Sequence, residues 1–132
     1  MVLQAWGAYG NLWPVVHQQL GVAPDMGRGR LEVVPQVPPG QSRVAAKDVR
    51  LGRGSIDVRA EAGKGSLRTV VTDRTGAKLL IGQVLPAGAG VASVTLGGHK
   101  AAYTVRHTSR GSEVVADAGA HRGVSTLVIT LK

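Results

Sequence analysis

Four carboxylates of this 132-residue chain are spaced so that they could do acid–base chemistry: Asp57 with Glu61, and Glu113 with Asp117. Cleavage of a glycosidic bond uses such a pair, one group protonating the leaving oxygen while the other attacks the sugar or activates water. Both pairs lie in stretches where polar and apolar residues alternate. Ile56, Val58 and Ala60, for example, interleave with Asp57, Arg59 and Glu61. That period of two reads as strands with one wet face, and the carboxylates as solvated side chains rather than an acid and a base. The four histidines, His17, His99, His107 and His121, share no metal-ligand spacing, so no metal is expected. Gly63-Lys64 is followed by Gly65, and Val58 stands where a phosphate loop needs its first glycine. A nucleophile elbow is missing too. With no cysteine, thiolate chemistry, disulfides and cysteine zinc sites are excluded, and the compartment stays open. Neither a catalytic constellation nor a cofactor is expected in this stretch of sequence.

The remaining residues that could recognise a ligand are aromatic, and they crowd the amino terminus. Trp6, Tyr9 and Trp13 precede a remainder whose only aromatic is Tyr103. Aromatic rings with polar tips can stack on sugars or fill an interface. Asn11 can cap a helix over Leu12–Leu20, with Pro14 in its first turn and Gly21 as its left-handed stop. Leu12, Val15, Val16 and Leu20 fall on one face of that helix, while Trp13 and His17 are neighbours on a flank. Both faces want covering. Trp6, Tyr9, Asn11, Trp13 and His17 are therefore the candidate residues for a sugar cleft or a domain interface, with interface core the favoured role.

The elements that must carry everything else are strands. Gly21 to Gly29 reads as a linker, which puts a domain boundary near Asp25, with residues 1–25 on one side and 26–132 on the other. Short aliphatic runs then recur about every ten residues. They predict strands near Arg30–Val34, Val44–Leu51, Ser55–Glu61, Ser66–Thr72, Lys78–Leu85, Val91–Leu96, Ala101–His107, Ser112–Asp117 and Ser125–Leu131. Asp73–Gly76 and Gly97–Lys100 read as hairpin loops, the second bringing Leu96 opposite Ala101, Val94 opposite Tyr103 and Ala92 opposite Val105. The expected fold is all-β: an antiparallel, jelly-roll-like two-sheet sandwich preceded by one short α-helix.

Composition agrees with this. Apolar residues make up 43% and aromatics only 3%, with no Phe, so Val, Leu, Ile and Ala must fill the core, which favours sheet. The formal charge of +8 attracts polyanions non-specifically. Yet arginines such as Arg50, Arg53, Arg59, Arg68, Arg74, Arg106, Arg110 and Arg122 lie singly, and only Arg28 and Arg30 approach a cluster. Stacking aromatics do not interleave them, so a nucleic-acid partner is not expected. No run reaches the roughly 18 apolar residues of a membrane span, and the amino terminus has no signal-peptide pattern.

The segment AWGAYGNLWPVVHQQLGVAPDMGRGRLEVVPQVPPGQ resembles the junction in bacterial six-hairpin glycosidases, where the last helix of an (α/α)6 barrel hands over to a C-terminal β-sandwich. That group includes glycogen-debranching-like and α-L-rhamnosidase-like hydrolases. GSIDVRAEAG, and then LLIGQVLPAGAGVASVTLGGHKAAYTVRHTSRGSEVVADAG, are similar to the terminal module. The resemblance implies a non-catalytic accessory sandwich that packs on the barrel of its parent enzyme, whose catalytic carboxylates lie upstream and match no position here. It makes the upstream barrel the first partner and carbohydrate a further one. In isolation, the bare helix would fold back, pair two copies as a homodimer, or stay partly disordered. Two other readings stay open: a carbohydrate-binding module, for which Tyr103 alone is a poor platform, and a free-standing adhesion or assembly sandwich.

Overall fold

The computed structural model describes residues 19–132. Eleven strands occupy this span: β1 (Val22–Asp25), β2 (Arg30–Val33), β3 (Arg43–Leu51), β4 (Gly54–Gly63), β5 (Ser66–Asp73), β6 (Lys78–Val84), β7 (Val91–Leu96), β8 (His99–Lys100), β9 (Thr104–Thr108), β10 (Gly111–Ala120) and β11 (Gly123–Leu131). They form two sheets, a five-stranded one in the order β1-β2-β6-β10-β9 and a six-stranded one in the order β3-β4-β5-β11-β7-β8. The all-β sandwich is as the sequence reads. The antiparallel pattern has one exception, because β2 lies parallel to β6.

Alternation decides which residues meet between the sheets. Leu31 and Val33, Leu79 and Ile81, and Val114 and Ala116 point inward from the five-stranded sheet. They meet Ile56, Val58, Leu67, Val71, Leu127 and Ile129 from the other. All are at most 3% exposed. Each such side chain contributes about 1.5–3 kcal/mol when taken out of water. A pair of buried polar groups is also shared between the sheets: the Thr69 hydroxyl lies 3.0 Å from the Gly82 carbonyl and 2.9 Å from Gln83 Oε1.

Three local readings are corrected. The Gly21–Gly29 stretch is no linker: Val22–Asp25 is strand β1, paired with β2, and a 3-10 turn over Met26–Arg28 leads into Gly29 at φ +66°. Val22 is fully buried, so its hydrophobic burial outweighs the turn-forming composition around it. Gly97–Lys100 is not a four-residue loop. Gly97 and Gly98 both take positive φ, 61° and 84°, and close a two-residue turn that sets Leu96 opposite His99. The chain then leaves the sheet, and Val105 pairs with Val114 in the other layer. The Asp73–Gly76 turn likewise carries the chain between sheets, from β5 to β6, rather than closing a hairpin. Alternating runs alone do not say which sheet a strand joins. Among the described residues there is no α-helix. The helix expected over Leu12–Leu20 lies outside them except for Gln19 and Leu20, the latter buried against the core.

Candidate functional site

The carboxylates that could do chemistry are each held by a cation. Asp57, on the outer face of β4, receives Arg74 through both oxygens, Nη2 to Oδ1 at 2.7 Å and Nη1 to Oδ2 at 3.2 Å. Its Oδ1 also accepts the Asp48 backbone N–H at 2.8 Å. These bonds, the Arg74 guanidinium foremost, hold the Asp57 carboxyl down at about 2. Asp48 sits at φ +56° in the β3 bulge between Ala46 and Val49. Asp57 is thus a clasp that joins the bulge, its own strand and the crossover at Arg74. Glu61 pairs with Arg59 at 3.1 Å. Asp117 pairs with Lys78 at 3.1 Å and accepts the Gly119 N–H at 2.8 Å, and both lower its pKa.

Glu113 overturns the solvated-face reading. It is 3% exposed. Its Oε2 receives Arg106 Nη2 at 2.7 Å, and its Oε1 receives Arg110 Nη1 and the Thr108 hydroxyl, each at 3.2 Å. Arg106 also makes a two-pronged contact with Glu32, Nη1 to Oε2 at 3.2 Å being one arm. Glu32 and Glu113 together push the Arg106 guanidinium above its ordinary value, whereas burial pulls Arg110 down. Arg110 Nη2 donates to the Val34 carbonyl at 2.7 Å. This network ties β2, β9 and β10 across the outer face of the five-stranded sheet. A general acid needs a raised pKa, through burial or a like charge. All four carboxylates have cationic partners instead, and Asp57 and Glu61 lie in a different sheet from Glu113 and Asp117. The arrangement fastens strands and offers no acid–base pair.

The expected aromatic site, Trp6, Tyr9, Asn11, Trp13 and His17, lies outside the described residues. Tyr103 is 40% exposed in the link between β8 and β9. His107 Nδ1 meets the Ser112 hydroxyl at 3.0 Å, and no group of three or more His, Asp or Glu among the described residues could hold a metal. A mainly apolar hollow of about 720 Å³ is a cleft between the Pro38–Pro39 segment and the Pro86–Ala89 turn, with Gln83 and Arg110 on its walls. A second concavity of about 950 Å³ crosses the outer face of the six-stranded sheet past Arg43, Glu61, Arg68, Thr95 and Thr126. Among the described residues, no aromatic lines either hollow.

Sequence reasoning missed the Glu32–Arg106–Glu113–Arg110 network. Part of it was legible, since a tight turn after Thr108 would place Arg106 opposite Glu113, as the register does. Glu32 is 74 residues from Arg106, and no local spacing announces their meeting.

These features define a β-sandwich domain with a fastened outer face. No known protein-family profile matches the chain, and no curated protein does either. Among solved structures it is similar to part of the GH31 dextranase of Flavobacterium johnsoniae. One of these is a mutant complexed with isomaltotriose, with TM-score 0.53, and another is complexed with glucose, with TM-score 0.52. Each shares 9% identity, and the match covers 76% of this chain but 16% of theirs. The likeness is one of fold, to a domain-sized portion of a glycoside hydrolase.

Proposed function

We propose that this chain is a non-catalytic accessory β-sandwich of a larger glycoside hydrolase, packing on the catalytic barrel of its parent and stabilising it. The main support is that the sandwich superposes on a small part of a glycosidase chain while the four carboxylates spaced for acid–base chemistry, Asp57, Glu61, Glu113 and Asp117, are all engaged in ion pairs. The finer assignment, to an (α/α)6 six-hairpin parent with residues 1–25 as the end of its last helix, draws on the amino-terminal resemblance. In this assignment strand β1 moves the start of the sandwich back from residue 26 to about Val22. Trp6, Tyr9, Asn11, Trp13 and His17 then belong to the barrel interface. The test is to produce the parent's catalytic domain with and without this sandwich and compare melting temperature and turnover. A lower melting temperature without the sandwich, with no hydrolysis by the sandwich alone, is the expected result. Equal stability of the two forms would refute the stabilising role.

A carbohydrate-binding reading draws on the exposed ring of Tyr103. Calorimetric titration with isomaltotriose, the sugar found in one of the dextranase structures, addresses it. Saturable heat that disappears in Tyr103→Ala would favour this reading over the purely structural one.

A further inference from the structure

We propose that the outer face of the six-stranded sheet is a binding surface for an acidic polysaccharide, one whose sugars carry carboxylates. The proposal does not depend on the glycosidase reading, and it concerns a surface other than that of Tyr103. The register sets one side chain from each strand in a line across this face. Arg43 lies opposite Glu61, Glu61 opposite Arg68, Arg68 opposite Val128, Val128 opposite Thr95, and Thr95 opposite Lys100. These residues alternate with Ala60, Leu67, Leu127 and Val94, which are buried between the layers, so the line faces outward. Arginines that lie singly in the sequence are thereby brought onto one surface. Arg59 and Arg74, on the same face, are committed to Glu61 and Asp57. Among the described residues, Arg43, Arg68 and Lys100 are exposed and have no carboxylate within ion-pair distance. The one carboxylate of the line, Glu61, is taken by Arg59, so the charges of Arg43, Arg68 and Lys100 stay uncompensated.

Charge complementarity and the residues between the cations select the occupant. The line crosses the hollow of about 950 Å³, whose walls place the hydroxyls of Ser42, Ser66, Thr95 and Thr126 among the arginines. A guanidinium matches a carboxylate through two parallel hydrogen bonds, and Ser and Thr hydroxyls both donate to and accept from the hydroxyls of a sugar. Val128, half-buried within the line, and Val124, 63% exposed farther along β11, give the C–H faces of sugar rings an aliphatic floor. Five strand spacings of about 4.8 Å carry the line over roughly 24 Å, room for a chain of several rings. A single-stranded nucleic acid fits less well, because no aromatic among the described residues lines the hollow to stack on a base. A protein partner fits less well too, since valines and threonines stand where a protein interface would have aromatic anchors.

The test titrates the full 132-residue chain with polygalacturonate by calorimetry at low salt, beside uncharged dextran and duplex DNA. Arg43→Gln combined with Arg68→Gln removes two charges from the line. Arg30→Gln combined with Arg122→Gln removes two charges from β2 and the β10–β11 link, so both variants carry the same net charge. Saturable binding of polygalacturonate is expected, weakened severalfold in the first variant and much less in the second, and fading as salt screens the charges. Amide NMR on the unsubstituted chain gives a reading that needs no variant to fold: the shifts on titration should cluster at Arg68, Thr95 and Thr126. Absence of saturable binding, equal losses in the two variants, or shifts centred elsewhere would overturn the proposal. So would dextran binding as tightly as polygalacturonate, which means that charge is not recognised. Duplex DNA binding at least as tightly would make the face a general polyanion surface, and that result also overturns it.

Discussion

Glu113 shows how one side chain's role depends on what folds over it. Its side chain is 4% exposed and bonded to two arginines, so removing it takes their shared carboxylate from Arg106 and Arg110 on a partly dry surface. Breaking a buried pair from one side costs about 3–5 kcal/mol. Arg106 keeps 38% of its side-chain surface, so Glu113→Ala should cost near the lower end, about 3 kcal/mol by urea denaturation. Glu113→Gln, which keeps the side chain's volume and one of its two acceptor oxygens, should cost less. Asp57 makes the complementary prediction. Its carboxyl titrates at about 2 in the folded chain against 3.8 as a free side chain, so its contribution is complete above 3.8 and disappears as pH falls through about 2. Thermal unfolding across that window should show the parent chain losing stability more steeply than Asp57→Asn. Parallel curves would mean that the clasp with Arg74 is energetically idle.

Elements bring their own constraints, most visibly where β1 begins. Gly21 has φ +61°, and a Cβ there would lie 1.8 Å from the Val34 carbonyl oxygen. Only glycine lets the chain pass that close while Leu20 and Val22 turn into the core. Gly21→Ala should therefore destabilise by well over the ~1 kcal/mol of an ordinary glycine-to-alanine penalty, and amide exchange should locate the loosening in β1 and β2. Gly29, also in the left-handed region but with open space around it, serves as the control. Gly29→Ala should register only the backbone strain. The β7–β8 turn depends on the same property, since both of its residues, Gly97 and Gly98, are left-handed.

At the scale of the molecule, the two layers hold together through aliphatic interlock rather than aromatic anchors. Ile81→Ala, at a position with no exposure, should cost about 2–5 kcal/mol in denaturant unfolding. The chain also crosses repeatedly between the two sheets. A chain shortened to begin at Arg30 loses β1 and the burial of Leu20 and Val22, and exposes the edge of β2. Its midpoint should fall well below that of the full chain, and it should associate more readily through the bared edge. An unchanged midpoint would show that β1 is an ornament of the five-stranded sheet.

The sequence by itself determined that the chain is built of short strands, each with one apolar face. Apolar residues at every second position, broken by glycine and proline, admit few structures other than short paired strands, and most strand boundaries follow from that period, though β8 reads as loop and β9 begins three residues later than expected. Strand β1 escaped because VAPD, between glycines and containing Pro24, has a linker's composition and becomes a strand only through its pairing with β2. Which sheet each strand joins was likewise undetermined, since alternation is the same in both layers and the Gly97–Gly98 hairpin differs from a longer loop only in backbone angles. The same limit applied to chemistry. Glu113 has the sequence surroundings of a wet strand residue, and only the tertiary structure could set it under Arg106 and Arg110 and bring Glu32 to them from a strand far away in the chain. Alternation fixes whether a side chain faces one side of a sheet or the other. What lies against that side is decided by long-range packing.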